Sequence, residues 1–328
     1  AVPSIAIVGK ENGTTVTVKP TTAIAAGPGV AGGPAGVPIS YPLQAGEVLQ
    51  FSQSSELIGS VISSDKPVGH WAGASCLSID VNDVACDSAH QQIPPVKALG
   101  SRYTAVRYRN RFPGNEESVP WRIVGAVDGT QLTYQPAAPP GAPTTLALGQ
   151  VAEFWGPGPF IVESQDEDHP FYISQHMTGC GRVDPTFSDC RGDPEFVNIV
   201  PVAQWLPRYT FFTDPTYPET SVVLTRARRD GNFADVSLDC GGTVTGWQNL
   251  DAAGDVQYAR VDLVTGNFAS VNGCANGVHV AESALPFGMT VWGWGSAQSI
   301  GFQSIAVSYA YPAGASVKPI NTVVIIVN

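Results

Sequence analysis

The sequence predicts an all-β protein with little helix, built from three related β-sandwich-like units packed in tandem. Short segments such as residues 14–19 and 130–134 alternate polar with branched or aromatic side chains, which is the period of a half-buried strand. Asn-Gly or Asp-Gly precedes each segment and predicts a tight hairpin turn. Because 27 of the 328 residues are prolines, helix is expected only as single turns at residues 95–99 and 202–206.

An internal repeat divides the chain. IVGKENGTTVTVKP at residues 7–20 matches IVGAVDGTQLTYQP at residues 123–136, and PVKALGSRYT at residues 95–104 matches PVAQWLPRYT at residues 201–210. A fainter third copy runs through VHVAESALPFGMTVWGWG at residues 278–295. The predicted parts are unit one at residues 1–94, an incomplete repeat, unit two at 95–200, unit three at 201–321, and a C-terminal apolar strand at 322–328.

The charge balance excludes two classes of function. Acidic side chains number 28 against 17 basic ones, a formal net charge of -11, whereas nucleic acids and anionic membranes need a positive field on their partner. We interpret the one basic cluster, Arg226, Arg228 and Arg229, as a solvated edge. No run of about 18 apolar residues occurs, so no membrane-spanning segment is predicted.

The spacing of six cysteines predicts three disulfide bonds. Two pairs are each ten residues apart in corresponding loops of two repeats, and the third pair follows by elimination. Zinc sites favour short CxxC spacing, which is absent. The predicted bonds are Cys76–Cys86, Cys180–Cys190 and Cys240–Cys274. Disulfides imply an oxidising compartment, so we expect an extracellular or cell-surface protein, and the lack of an initial Met suggests a removed signal peptide.

Residues that could carry catalysis or bind a metal form no recognised motif, so no catalytic residue, metal ligand or cofactor is predicted. GxSxG and SxxK are absent, and no two histidines stand four residues apart. Two acidic clusters offer oxygen ligands for calcium, but they lack DxDxDG spacing, and we favour solvated turns. The clusters are Asp80, Asn82, Asp83 and Asp87, and Asp166, Glu167 and Asp168. The histidines, for which packing is favoured, are His70, His90, His169, His176 and His279.

Three further features are typical of binding surfaces. Residues 191–193 spell Arg-Gly-Asp, an integrin tripeptide that also arises often by chance. Asn12 begins an N-glycosylation sequon within an expected turn. Trp292 and Trp294 fall on one face of a strand and could form a sugar-stacking platform, although burial between sheets is the favoured interpretation. The platform would also include Phe287, Tyr309 and Tyr311.

Several motifs resemble one known family. They are LQAGEVLQF at residues 43–51, SSDKPV at 63–68, Cys86-Asp87 followed by QQIPPV at 91–96, DGTxxT at 128–133, GDPEFVNIVPVAQW at 192–205 and SYAYPAG at 308–314. Over residues 6–321 the chain resembles the N-terminal domain of the IgGFc-binding protein family, found in secreted animal mucin-like proteins and many bacterial surface proteins. The resemblance implies a non-enzymatic module for adhesion, or for binding protein or glycan on other cells or matrix. A secreted hydrolase is a distant alternative.

A second hypothesis, a structural subunit of an extracellular filament or sheath, rests on the strand count. Units two and three open with the PV…RYT segment, which leads into a strand, and unit one has none, so its sheet should lack one strand. The apolar run at 322–328, TVVIIVN, suits a strand buried on both faces. It either fills the gap in its own chain, which we slightly favour, or enters a neighbouring molecule and builds a filament by strand donation. The assembly strand comprises Thr322, Val323, Val324, Ile325, Ile326 and Val327.

Overall fold

The computed structural model describes residues 2–79, 86–297 and 305–319, and nearly all of its regular structure is β-strand. Within these residues, helix is confined to three 3-10 turns at Val96–Ala98, Cys180–Arg182 and Val202–Gln204. The prediction of an all-β fold is therefore confirmed. Two of the turns lie where the sequence predicts a single turn of helix, directly after Pro95 and Pro201, whose fixed φ starts each turn.

Unit one is a sandwich of two antiparallel sheets. One sheet has the order β4-β1-β6-β7 and the other the order β3-β2-β5. Strand β2 buries every second residue, as its sequence alternation predicts, and places Val16 and Val18 in the core between the sheets. The strands are β1 Pro3–Gly9, β2 Thr14–Lys19, β3 Ile39–Leu43, β4 Val48–Ser52, β5 Val61–Ser64, β6 Val68–Leu77 and β7 Asp87–Gln92.

Unit two repeats this order and adds one strand. Its sheets are β12-β9-β14-β15 and β11-β10-β13-β8, so β8 lies beside β13 where the corresponding β5 of unit one has no further neighbour among the described residues. Among the described residues, this sheet of unit one thus has one strand fewer than the corresponding sheet of unit two. The strands are β8 Arg102–Ala105, β9 Val119–Gly125, β10 Thr130–Gln135, β11 Thr145–Leu146, β12 Val151–Gly156, β13 Phe160–Ser164, β14 Phe171–Met177 and β15 Glu195–Asn198.

Unit three joins its two layers through one long strand, β23. The first half of β23 pairs with β16 and β18, and the second half pairs with β17 and β24. Pro286 lies within β23, where the register with β16 shifts, so its missing N–H costs no ladder bond. The strands are β16 Leu206–Thr213, β17 Glu219–Ala227, β18 Val236–Leu238, β19 Gly242–Thr243, β20 Gln248–Asn249, β21 Val256–Thr265, β22 Ala269–Ser270, β23 Gly277–Trp294 and β24 Ser308–Pro312.

The predicted Asn-Gly and Asp-Gly hairpins are wrong. Strand β1 pairs with β4 and β6, whereas β2 pairs with β3 and β5, so the turn between them crosses from one sheet to the other. The side-chain oxygen of Asn12 accepts the backbone N–H of Ala45 at 3.0 Å, and that of Asp128 accepts the N–H of Leu148 at 2.8 Å. Each turn is therefore fixed to a neighbouring turn of its unit, and this contact satisfies the backbone instead of a hairpin ladder.

Strands β8 and β16 begin within the two PV…RYT segments, and we call them the lead-in strands. A buried tyrosine attaches each of them in the same way. The Tyr103 hydroxyl accepts the N–H of Gly100 at 3.0 Å and donates to the carbonyl of Phe171 at 2.5 Å. The Tyr209 hydroxyl accepts the N–H of Leu206 at 2.9 Å and donates to the carbonyl oxygen of Phe287 at 2.5 Å. Both tyrosines are buried, so these bonds fix each lead-in to the unit that follows it in the chain.

The three units meet through strands β7, β15 and β24, which we call the central junction. The side-chain amide of Gln91 donates to the carbonyl of Ala310 at 2.9 Å, which links unit one to unit three. The amide of Asn198 donates to the carbonyl of Gln92 at 2.7 Å, and the Ser308 hydroxyl donates to the carbonyl of Asp193 at 2.6 Å. Each unit is thus in contact with both others.

Candidate functional site

A cavity of about 920 Å³ lies between unit one and unit two, along the outer edge of β5. We call it the first-unit groove. Its walls are β5 and β6 of unit one, the turn Val96–Ala98, and the outer faces of β9 and β14 of unit two. Its lining is largely apolar on the side of unit one and mixed on the side of unit two. The lining includes Leu57, Ile58, Val61, Ile62 and Leu99, and opposite them Arg122, Tyr172, Ser174 and His176.

The equivalent space between units two and three is filled by the chain itself. Strand β8 pairs with β13 there, and the residues of β8 and its continuation pack against unit three. Tyr103, Ala105, Val106 and Tyr108 from this segment are all buried. The groove therefore occupies the place of the missing strand. The predicted assembly strand, residues 322–327, lies outside the described residues.

The polar groups of the first-unit groove carry little net charge. Arg122 donates to Glu153 at 2.7 Å and to Glu56 at 3.0 Å, so its charge is matched. Burial lowers the pKa of His70 to about 4 and the pKa of His176 to about 3, so both imidazoles are neutral at pH 7. An uncharged, apolar occupant suits such a lining.

A partly buried ionic network fastens the segment after β8 to unit three. The guanidinium of Arg109 pairs with Glu219, and it also donates to Asp262 at 2.5 Å. Arg191 lies 3.3 Å from the same Glu219 carboxylate. The sequence interpretation missed this network. Its signal is the run RYRNR at residues 107–111, three arginines on alternate positions in a chain with only 14% charged residues.

An exposed apolar pair stands on the outer face of unit three. Phe212 on β16 lies directly opposite Val278 on β23, and their exposed fractions are 50% and 68%. Along the same face, Arg208 donates to Glu282 at 2.7 Å. The Tyr311 hydroxyl accepts the N–H of Phe212 at 2.9 Å and donates to its carbonyl oxygen, so the outer edge of β16 is capped at this point. We call these residues the unit-three face.

Comparison with known proteins decides the family. A family model described as IgGFc binding protein matches residues 1–293. The chain belongs to the IgGFc-binding protein family. The human IgGFc-binding protein is 25% identical over 281 residues, which are 83% of this chain and 4% of that protein. No solved structure matches.

The matched region of this IgGFc-binding family member ends within β23. It excludes SYAYPAG at residues 308–314, so the resemblance expected up to residue 321 is shown only as far as residue 293.

None of the helical turns in the described residues has the length and hydropathy of a membrane span.

Three disulfides join the six cysteines in the pairs that the sequence predicts: Cys76–Cys86, Cys180–Cys190 and Cys240–Cys274. The third bond also bears on a group of metal-ligand types, Asp239, Cys240 and His279, whose ligand atoms lie within 4.8 Å of one another. The sulfur of Cys240 is bonded to Cys274, and the His279 ring contacts the Asp239 carboxylate and the carbonyl of Ala275. These groups already have partners, so the cluster does not argue for a metal.

The other acidic and histidine candidates do not converge. Asp80, Asn82 and Asp83 lie outside the described residues, and Asp87 accepts the N–H of its neighbour Ser88. Asp166 accepts the N–H of Asp168 at 3.0 Å and contacts the His169 ring at 2.6 Å. These are contacts within a local turn, as expected for solvated loops. The exposed His90 ring lies 3.4 Å from the Ser88 hydroxyl on β7.

The tripeptide at residues 191–193 is held inside the fold. Arg191 pairs with Asp189 at 2.8 Å and with Glu219, and Asp193 is only 5% exposed. An integrin-binding loop must present both charges to a partner. The tripeptide is therefore not presented as an integrin-binding loop in this structure, which agrees with its interpretation as a chance match.

The aromatic residues considered as a sugar-stacking platform do not form an exposed surface, because the two tryptophans are buried between units two and three. Trp292 and Trp294 lie on one face of β23, as predicted, and have no exposed area. Their rings lie 4.8 and 6.0 Å from that of Tyr108. Phe287 is equally buried. The interpretation of burial between sheets is correct, and no sugar can stack on these indoles in this structure.

The central junction contains an acid that should titrate far from its ordinary range. Burial raises the pKa of Glu195, on β15, to about 8. The native state therefore holds this proton more tightly than the unfolded chain, in which the pKa is about 4.3. The stabilisation is complete below about pH 4 and is lost as the pH rises to about 8.

Replacing Glu195 with glutamine should remove this dependence. A neutral amide can still accept the N–H of Phe196, which the carboxyl now accepts at 2.8 Å. We expect the variant to be more stable at pH 8 by on the order of 2 kcal/mol, with the difference shrinking as the pH falls to about 4. Urea unfolding at several pH values measures this. Curves for the two proteins that run parallel across this range would contradict the assignment.

Proposed function

We propose that this chain is a non-enzymatic extracellular module that binds another protein, as an adhesion module does. Membership of the IgGFc-binding protein family supports protein binding, and three disulfides fit an oxidising compartment. The described histidine–carboxylate pairs are His169 with Asp166 and His279 with Asp239, and neither contact includes a serine. The geometry thus favours binding over hydrolysis.

The observation that carries the proposal is the unit-three face. Two large apolar side chains, Phe212 and Val278, are adjacent and exposed on a regular sheet, with the charged pair Arg208 and Glu282 at its border. An apolar centre with a polar rim is the usual anatomy of a protein interface. Because Tyr311 caps the edge of β16, a partner would cover the face rather than extend the sheet. Burial of Trp292 and Trp294 removes the sugar-stacking platform that the sequence offered as an alternative.

The double substitution Phe212→Ser and Val278→Ser tests the face. Both side chains are half exposed or more, so the fold should tolerate the change. We expect at least a tenfold loss of affinity for any protein ligand found with the unmodified chain. Human immunoglobulin Fc is the first probe, because the human relative is named for it, followed by arrays of extracellular proteins and glycans.

The matched control is Val48→Ser on β4 of unit one. Val48 is 54% exposed, so the substitution removes the same kind of apolar surface far from the unit-three face in the chain. Its binding should equal that of the unmodified chain. Equal affinity of the double variant would remove the face from the proposal. A monomeric sample that binds no protein on the arrays, or binds glycans alone, would overturn the function itself.

A further inference from the structure

Each lead-in strand completes the unit that follows it in the chain. Strand β8 follows unit one and completes the sheet of unit two, and β16 follows unit two and pairs within unit three. A third lead-in follows unit three: SVKPINTVVIIV at residues 316–327 aligns without gaps with PVKALGSRYTAV at residues 95–106. In this alignment Val323 takes the position of Arg102.

We propose that residues 322–327 are the missing fourth strand of unit one in the same chain. They run antiparallel to β5 in the first-unit groove, as β8 runs beside β13. Each unit is then completed by the strand that follows the preceding unit, and the three units close into a ring. This inference is independent of the proposed function.

The described end of the chain already lies beside the groove. The backbone N–H of Ser316 donates to the carbonyl of Gln204 at 2.8 Å. The Gln204 side-chain amide donates to the carbonyl of Lys318 at 2.7 Å and to that of Ala98 at 3.2 Å. Ala98 belongs to the turn whose residues Val96 and Lys97 line the groove. The few residues that follow Lys318 can span about 10 Å in extended form, so the segment needs no long excursion to reach its own groove.

Strand β5, beside which the segment would lie, fits the segment in charge. In the other units the lead-in arginine meets a glutamate on the partner strand: Arg102 with Glu163 at 2.6 Å, and Arg208 with Glu282 at 2.7 Å. In unit one both members of the pair are replaced by uncharged residues. The strand β5 carries a serine in place of the glutamate, and the segment carries a valine in place of the arginine. The apolar run TVVIIV would therefore bury no unpaired charge.

The register follows from the strands that are already paired. Thr17 of β2 lies opposite Ser63 of β5, as Thr133 of β10 lies opposite Glu163 of β13. Because Glu163 lies opposite Arg102, Ser63 should lie opposite Val323. Next to the Arg102 and Glu163 pair lie Ser101 and Ser164, which face each other. The N–H of Ser164 donates a backbone hydrogen bond to the carbonyl oxygen of Ser101 at 2.8 Å. The pair itself is therefore of the non-hydrogen-bonded kind, in which side chains stand closest.

A cysteine pair tests this register. The double variant Ser63→Cys and Val323→Cys should form a disulfide within one chain under mild oxidation, because opposite residues of this kind have the Cα separation that a disulfide needs. The control is Ser63→Cys with Val324→Cys, in which the second thiol points to the other face of the strand. Peptide mapping without reduction identifies the new bond, and size-exclusion chromatography shows whether it lies in a monomer.

We expect the first variant to be cross-linked in the monomer at least tenfold more than the control. A bond between two chains would show donation to a neighbour and overturn the proposal. Equal cross-linking of both variants would also overturn the proposal, and so would the absence of cross-linking in both, since the groove would then have another occupant. Ser63 is exposed, and native-like unfolding of the reduced variants confirms that the test uses the folded protein.

Discussion

Replacing Glu117 with alanine is expected to lower the free energy of unfolding by about 3–5 kcal/mol, because it removes the buried carboxylate that pairs with a buried arginine. The Glu117 carboxylate accepts the Nε–H of Arg111 at 3.0 Å, the backbone N–H of Arg111 at 2.6 Å and the Tyr108 hydroxyl at 2.9 Å. The side chains of Arg111 and Glu117 are 0% and 2% exposed. Urea unfolding with a fluorescence readout measures the loss.

The matched control is Glu282→Ala, which breaks the ion pair of Glu282 with Arg208. Both members of that pair are more than half exposed, so water replaces the lost contact and the loss should be at most about 1 kcal/mol. A second variant, Glu117→Leu with Arg111→Met, should recover much of the loss by removing both charges together. Similar losses for Glu117→Ala and Glu282→Ala would show that burial does not set the energy of these pairs.

The second large effect is expected from Gly59→Ala at the contact between units one and two. A Cβ atom at Gly59 would stand 2.1 Å from the carbonyl oxygen of Gly149, and Gly59 also has a φ of 79°. The substitution combines a left-handed backbone with a clash between two backbones, for which we expect a loss of about 3 kcal/mol or more. Thermal unfolding and amide hydrogen exchange in the turn of Gly149 measure it.

The variant Gly46→Ala separates the cost of the strained backbone from the cost of the steric clash. Gly46 has a nearly identical φ of 78°, but no atom lies within 4 Å of the position its Cβ would take. It should therefore lose only the conformational cost of about 1–2 kcal/mol, without an effect on exchange at Gly149. If the two alanine variants lose equal stability, the close approach of Gly59 and Gly149 does not hold the units together.

The sequence by itself determined the fold class and the cysteine pairs that the structure contains. These depend on short-range patterns: side chains alternate along a strand, proline ends helices, and a repeated stretch repeats its local structure. The lead-in PV…RYT marks β8 and β16 because Tyr103 and Tyr209 bond backbone groups of the unit they open.

Only the tertiary structure decided which surfaces are available. The hairpins were wrong because the turn of Asn12 is fixed by Ala45, a residue 33 positions away. The surroundings of the tryptophans of β23 and of the tripeptide at 191–193 depend on distant residues, because Tyr108 covers the indoles and Glu219 holds Arg191. Burial is a property of two surfaces that meet, and their residues are far apart in the chain. Local patterns fix which face of a strand is apolar, whereas the packing of units fixes what covers that face.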